Sequence, residues 1–303
     1  MNALVNNDAR VIALTCDGIL APQCTVMYSR GVNADSPQLV RKAVCVDCRS
    51  ADRDRRTVEG VEWISLRSFL ESDDLAEVES ICNAMTPDEV SSMIIDDIPI
   101  GTTSAYETLL HAKARPLDAL RSSWTTYMND LRGALLCLTA FQRMLEHEDV
   151  ETVIVYNGLY SSNRAVWESA FRVGVRAINI HATSHPTLGY EYLCVERTLR
   201  PRFQDRAADE WIQWRDIPLT EEEVRFAHQY LEAGILSRAP WSYSRARSNA
   251  AGTEVLNRLG LSPTVPTVVV LLNSLDERIA ATFVGVNVDS AWPLDQPTPL
   301  HDF

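Results

Sequence analysis

The sequence predicts an α/β fold, with a doubly wound, mainly parallel sheet over most of the chain and an incomplete second domain after it. Three observations carry this. Short apolar runs rich in β-branched residues recur as RVIALTC at 10–16, TVIVY at 152–156, RAINI at 176–180 and TVVVLL at 267–272. Continuous apolar runs of this length suit parallel strands covered on both faces. Helical patterns separate the runs, so strand and helix alternate as in a parallel sheet. Each run also breaks into polar residues, namely Asp17-Gly18, Asn157-Gly158, His181 and Asn273-Ser274. In open parallel sheets, ligands sit beyond the carboxyl ends of the strands, where such loops converge.

Taken in order, residues 10–16 form the first strand and end in the tight Asp17-Gly18 loop. Ser36 as N-cap and Pro37 at the first helical position open a helix through about Arg56. Residues 61–66 form the next strand, which completes a βαβ start. Ser72 caps a helix over 72–85, with Asp73 and Asp74 at the positive end of its dipole. Ile98-Pro99-Ile100-Gly101 marks a loop. A long helix covers 117–147, because Leu120, Trp124, Tyr127, Met128, Leu131, Leu135, Leu138, Phe141 and Leu145 recur at spacings of three and four.

The strand at 152–156, a helix near 163–173, Gly174 and the strand at 176–180 make a second βαβ unit. Thr220 with Glu223 is a capping box ahead of a helix to about Leu236. A further helix near 243–259 stops at Gly260. Ser262-Pro263 and Pro266 then punctuate the chain, which sets a domain boundary near residue 263. Residues 1–262 are expected to form one domain with linker helices, and 263–303 the beginning of another. About forty residues are too few for a self-sufficient α/β domain, which takes on the order of 100.

Composition narrows the function. Hydrophobic residues make up 46% and charged ones 23% of the 303 residues, as in ordinary globular chains. Acidic residues outnumber basic ones 41 to 28, and a net charge of −13 repels phosphate backbones, so neither nucleic acid nor anionic lipid is an expected partner. The Arg-rich run at 49–56 also carries Asp52 and Asp54 and reads as a solvated helix face. The start MNALVNNDAR has no signal-peptide pattern, and no apolar run reaches the ~18 residues that span a bilayer. A cytoplasmic chain that does not span a membrane is expected. Seven scattered cysteines, an odd number, fit reduced thiols better than a disulfide framework.

The strand ends hold the candidate chemistry. His181 directly follows an apolar strand, and an imidazole with a pKa near ~6.5 can take a hydroxyl proton at cellular pH; the alternative is a histidine hydrogen-bonded within its loop. Asp17 is the competing base, since partial desolvation at a strand end raises a carboxyl toward neutrality. Gly18, Asn157, Gly158, His185, Asn273 and Ser274 would line the substrate, although Asp-Gly and Asn-Gly pairs also serve as plain turn formers. Cys16, Cys24, Cys45 and Cys48 form C-x7-C-x20-C-x2-C, which reads either as a zinc set or as free thiols packed around the first strand and helix. Dinucleotide, P-loop, serine-hydrolase and zincin motifs do not occur in the sequence.

The order CDG, a Cys-x-x-Cys helix, IPIG, a long helix and VIVYNG resembles capsule and surface polysaccharide biosynthesis proteins of the GT-B glycosyltransferase fold. RLGLSPTVPTVVVLLNS is similar to the point where such proteins leave their first domain for the second. The resemblance covers roughly residues 10–290 and rests on diffuse motifs and arrangement. It implies two Rossmann-like domains, the first holding a glycan acceptor and the second a nucleotide sugar. Asp17, Asn157 and His181 would then line the acceptor side, with Asn273 and Ser274 at the opening loop of the donor side. It also implies chemistry without a cofactor or metal.

Similar proteins often place an arginine directly after the Asn-Gly pair; here Leu159 stands there, and Arg164 is the nearest candidate. Because little sequence follows residue 263, a partner chain supplying the donor half is a further expectation. The alternatives are a GT-B-like nucleotide-sugar epimerase and a non-catalytic binding or scaffold remnant.

Overall fold

The computed structural model describes residues 2–6, 9–21, 24–33, 35–56, 59–112, 116–182, 193–196, 212–235, 260, 262, 280 and 282–284. The chain divides into two compact units. The first comprises Met1–Asn179, Glu196–Arg202 and Leu275–Phe303, and the second Ile180–Val195 and Phe203–Ser274.

The short helix α1 (Asn2–Val5) precedes β1 (Val11–Thr15), α2 (Thr25–Ser29), α3 (Gln38–Arg55) and β2 (Val61–Ser65). β1 and β2 pair in parallel, with Val11 opposite Val61 and Thr15 opposite Ser65, so the predicted first βαβ unit is formed. Arg10 forks onto both carboxylate oxygens of Glu62, at 2.7 and 2.8 Å, and reaches Glu148 at 2.6 Å. One guanidinium thereby ties the entry of β1 to β2 and to the residues just before the next strand.

The cap predicted at Ser36 is not made. Pro37 occupies the N-cap of α3, while the Ser36 hydroxyl accepts from the Asn33 amide and donates to the Asn33 side chain, both at 3.0 Å. Serine here closes a local turn, the usual competitor of helix capping.

A 3₁₀ turn over Leu66–Phe69 leads to α4 (Ser72–Ala84), whose N-cap is Glu71 rather than the predicted Ser72. The Asp74 carboxylate reaches back to the Glu71 amide at 2.7 Å and also holds Arg143 at 2.7 Å, while the Glu71 side chain accepts from the Asp74 amide, a reciprocal capping box of two acids. The predicted loop at 98–101 is a compact corner. Asp96 and Asp97, both at positive φ, turn the chain so that Ile95 and Ile98 bridge, and α5 (Ile100–Thr103) starts immediately. A β-carbon on Gly101 would stand 2.2 Å from the Val90 carbonyl oxygen, which requires glycine there.

α6 (Tyr106–Ala112) and α7 (Pro116–Ser122) precede α8 (Trp124–His147). The single helix predicted over 117–147 is therefore interrupted at Ser123, which leaves helical geometry with ψ at 33°. Adjacent Ser122 bonds back to the Ala119 carbonyl at 3.1 Å, and such serine pairs bend or break helices. The predicted apolar stripe is buried: Leu120, Tyr127, Leu131, Leu138 and Phe141 are among the most enclosed side chains. α8 packs on α4, α6 and α9 (Ser161–Arg172), which makes it the centre of the first unit.

β3 (Thr152–Tyr156), α9 and β4 (Arg176–Ala182) form the second predicted βαβ unit, with β4 between β3 and β5 (Leu193–Glu196) in their sheet. The described architecture is mixed α/β, rich in helix, with parallel pairing in two small sheets. No ladder joins β1 to β3 among the described residues. Leu14 of β1 nonetheless packs into the cluster formed by Phe141, Met144, Val155, Trp167, Ala170 and Ala177, so both sheets share one side-chain layer. Ala280 and Val284 are buried in the larger cluster around Tyr127, Leu131 and Leu138.

In the second unit, α10 (Glu221–Ile235) carries the predicted capping box: the Thr220 amide and hydroxyl donate to Glu223 at 2.7 and 2.8 Å. The predicted helix at 243–259 and strand at 267–272 lie outside the described residues, as does the boundary near 263. No helix among the described residues is long and apolar enough to cross a membrane.

Candidate functional site

The ends of β1 and β3 meet around the middle of α8. After β1 the chain passes through Asp17 and Gly18 at φ 47° and 92°, and the Ile19 amide closes the turn on the Cys16 carbonyl at 3.0 Å. After β3 it passes through Asn157 at φ 49°, whose side-chain oxygen accepts from the Leu159 amide at 3.3 Å. Ile19 from the first loop and Leu159 and Tyr160 from the second pack on the same cluster as Tyr127, Leu131 and Ala134 of α8. Gly133 of α8 sits between them: a β-carbon there would lie 3.5 Å from the Ser162 Oγ and 3.8 Å from Leu20.

The predicted residues differ in what they present. Asp17 is 40% exposed and ion-paired with Arg49 of α3 at 3.0 Å, so it stands at the rim beside a cation instead of in the desolvated setting expected for it. Gly18 lies against Cys45 and Arg49. Asn157 is only 8% exposed and turned into its own loop. Gly158 is required by packing, since a β-carbon would meet the Trp167 ring at 2.2 Å, and its amide donates to the buried Asn179 side chain at 2.8 Å. Arg164 is 3% exposed, pairs with Glu168 at 2.6 Å and lies over the Trp167 ring. Of His181 the backbone alone is described, at the end of β4; His185, Asn273 and Ser274 lie outside the described residues.

Cys16, Cys24, Cys45 and Cys48 are free, and burial pushes the first three thiols up. Protonated thiols are poor metal ligands. Among the described residues no three His, Cys, Asp or Glu side chains are arranged to hold a metal ion, so the zinc geometry considered for these four is not formed there.

Behind the strand ends lies a buried polar network that the sequence reading missed. Glu107 of α6 accepts from the Ser161 amide at 3.1 Å and from the Ser161 hydroxyl at 2.9 Å. Asp130 of α8 accepts from the Tyr28 hydroxyl at 2.9 Å and from Thr108 at 2.8 Å. The Tyr28 ring stacks on His111, with centroids 4.2 Å apart. Burial pushes the Glu107 carboxyl up to about 7, against the pull of the Ser161 amide. Burial, then the neighbouring Glu107 charge, raises Asp130 well above the carboxylate range.

A carboxylate at the first residue of α9 occupies the place where a helix N-terminus would bind a phosphate. The Ser161 amide at that end of α9 is therefore already satisfied by Glu107. The one sequence signal for the network was Asn129-Asp130, a polar pair inside the apolar stripe of α8. In the second unit, a groove of 680 Å³ runs along α10 between Leu219 and Glu232 and involves none of the predicted site residues.

Comparison with protein-family models, with curated proteins and with solved structures finds no match to this chain.

Proposed function

We propose that this chain is a glycosyltransferase-like protein of surface polysaccharide synthesis, its two βαβ units forming the Rossmann-like acceptor side of a GT-B type enzyme. The observation that carries the reading is the convergence of the β1 and β3 ends over Gly133 of α8, each through left-handed residues. This is the crevice position that parallel α/β folds use for ligands. The Glu107 cap on α9 supports an acceptor over a nucleotide diphosphate at this rim. Asp17, exposed and steadied by Arg49, is the base that takes the acceptor hydroxyl proton, with His181 as the second candidate.

Thermal shift against a panel of nucleotide sugars and glycans, followed by mass spectrometry of the mixtures, tests this. A ligand at ~100 times its Kd stabilises by about 2.7 kcal/mol, which such a measurement reads easily. Saturable stabilisation by a glycan with a new glycosidic product is the expected result. A flat response across the whole panel overturns the reading, and an altered nucleotide sugar released without acceptor assigns an epimerase.

A binding or scaffold role has its own observation. Ile212, Trp214, Ile217, Leu219, Val224 and Leu231 are each more than half exposed on α10 and the residues before it. Large apolar side chains left exposed along one segment favour a surface that another protein or domain covers. Size-exclusion chromatography with light scattering reads this directly as self-association.

A further inference from the structure

We propose that Glu107 and Asp130 do not both ionise in the folded chain, and that ionisation of the pair on raising the pH loosens the joint between α2, α6, α8 and the start of α9. Both carboxyls are buried, at 4% and 5% exposure, on adjacent helices. Among the described residues, the groups that hydrogen-bond either side chain are uncharged donors: the Tyr28, Thr108 and Ser161 hydroxyls and the Ser161 and Glu107 amides. Two buried like charges facing only neutral dipoles cannot both ionise cheaply, and retaining one proton relieves both the desolvation and the mutual repulsion.

Among the described residues, the following charged and titratable groups on the elements around the pair have partners of their own. At the C-cap of α2, Arg30 pairs with Asp47. On α6, His111 is exposed, stacks on the Tyr28 ring and meets the Glu107 backbone carbonyl through Nδ1 at 2.7 Å, not either carboxyl group. On α8, Arg132 binds Glu79 and Asn129, Arg143 binds Asp74, and the Tyr127 hydroxyl donates to the Gly101 carbonyl. On α9, Arg164 and Glu168 pair with each other. On α7, Arg121 pairs with Asp88.

The direction follows from linkage. Burial holds Glu107 up to about 7, above its unfolded value near ~4.3, so the folded chain binds more protons than the unfolded one across that window. The stability this contributes is complete below about pH 4 and is lost as pH rises through about 7. Because Asp130 joins Tyr28 of α2 and Thr108 of α6 to α8, and Glu107 joins Ser161 of α9 to α6, ionisation of the pair acts on the loop that leads from β3 into α9. The proposal does not depend on the sugar reading.

Chemical denaturation of the full chain from about pH 5 to about pH 8 should show the unfolding constant rising by up to about tenfold per pH unit for each extra proton held. Glu107→Gln and Asp130→Asn, measured separately, should each flatten that slope. Carbon-13 NMR of the side-chain carboxyls in the unmutated protein needs no variant to fold, and should show one of the pair titrating near neutrality. Hydrogen exchange at the Ser161 amide should accelerate over the same interval. The proposal is overturned if both carboxyls finish titrating in the ordinary carboxylate range, or if both folded variants keep the full pH slope.

Discussion

Gly158 and Asp17 stand at the ends of two strands and do opposite work. Gly158 is fixed by close packing, because any side chain would enter the Trp167 ring, and overpacking of this kind costs roughly 1–3 kcal/mol. Gly158→Ala should lower the denaturation midpoint without changing the denaturant slope. Asp17 is exposed and, among the described residues, ion-paired with Arg49, a surface contact of small worth, so removing its charge should leave the fold intact. If Asp17 takes the acceptor proton, Asp17→Asn should reduce sugar transfer by roughly 10²–10⁴-fold with an unchanged melting curve. An equal rate in that variant moves the role to His181.

At the scale of elements, α8 decides stability. Its Phe141 is 1% exposed and lies where β1, β3, α9 and β4 all contribute side chains. Phe141→Ala should cost about 3–5 kcal/mol, read by chemical denaturation, because the cavity has walls from several elements that cannot collapse together. The cap of α10 is a smaller, local matter. Thr220→Ala removes a hydroxyl that both donates to and accepts from Glu223, and should cost about 0.5–2 kcal/mol of local helix stability, seen as faster amide exchange in the first turn.

Strands and this capping box were legible in the sequence because each rests on neighbours within a few residues. The caps at Ser36 and Ser72 were misread for one reason. In each a residue two or three positions away makes a competing local bond: Asn33 engages the Ser36 hydroxyl, and Asp74 binds the Glu71 amide, which makes Glu71 the N-cap.

For the whole molecule, the stability profile should lean toward acid over the range where Glu107 titrates, in contrast with chains whose carboxylates are chiefly ion-paired. The candidate site was legible in outline. Polar residues after apolar strands named Asp17, Gly18, Asn157 and Gly158, and two of those strand ends do meet over α8. What no local pattern reported is that Asn157 and Arg164 face inward, or that Ser161 meets a carboxylate 54 residues earlier in the chain.

By itself the sequence determined in outline where β1 to β4 and helices α3, α4, α8, α9 and α10 run, since β-branched runs, helical periodicity and a capping box act over a few neighbouring residues. It likewise determined the acidic balance, a net charge of −13. Tertiary structure alone decided which acids became solvent-facing and which became buried. The fate of a carboxyl depends on what packs over it, and Tyr28, Glu107, Asp130 and Ser161 are brought together only when α2, α6, α8 and α9 close on one another.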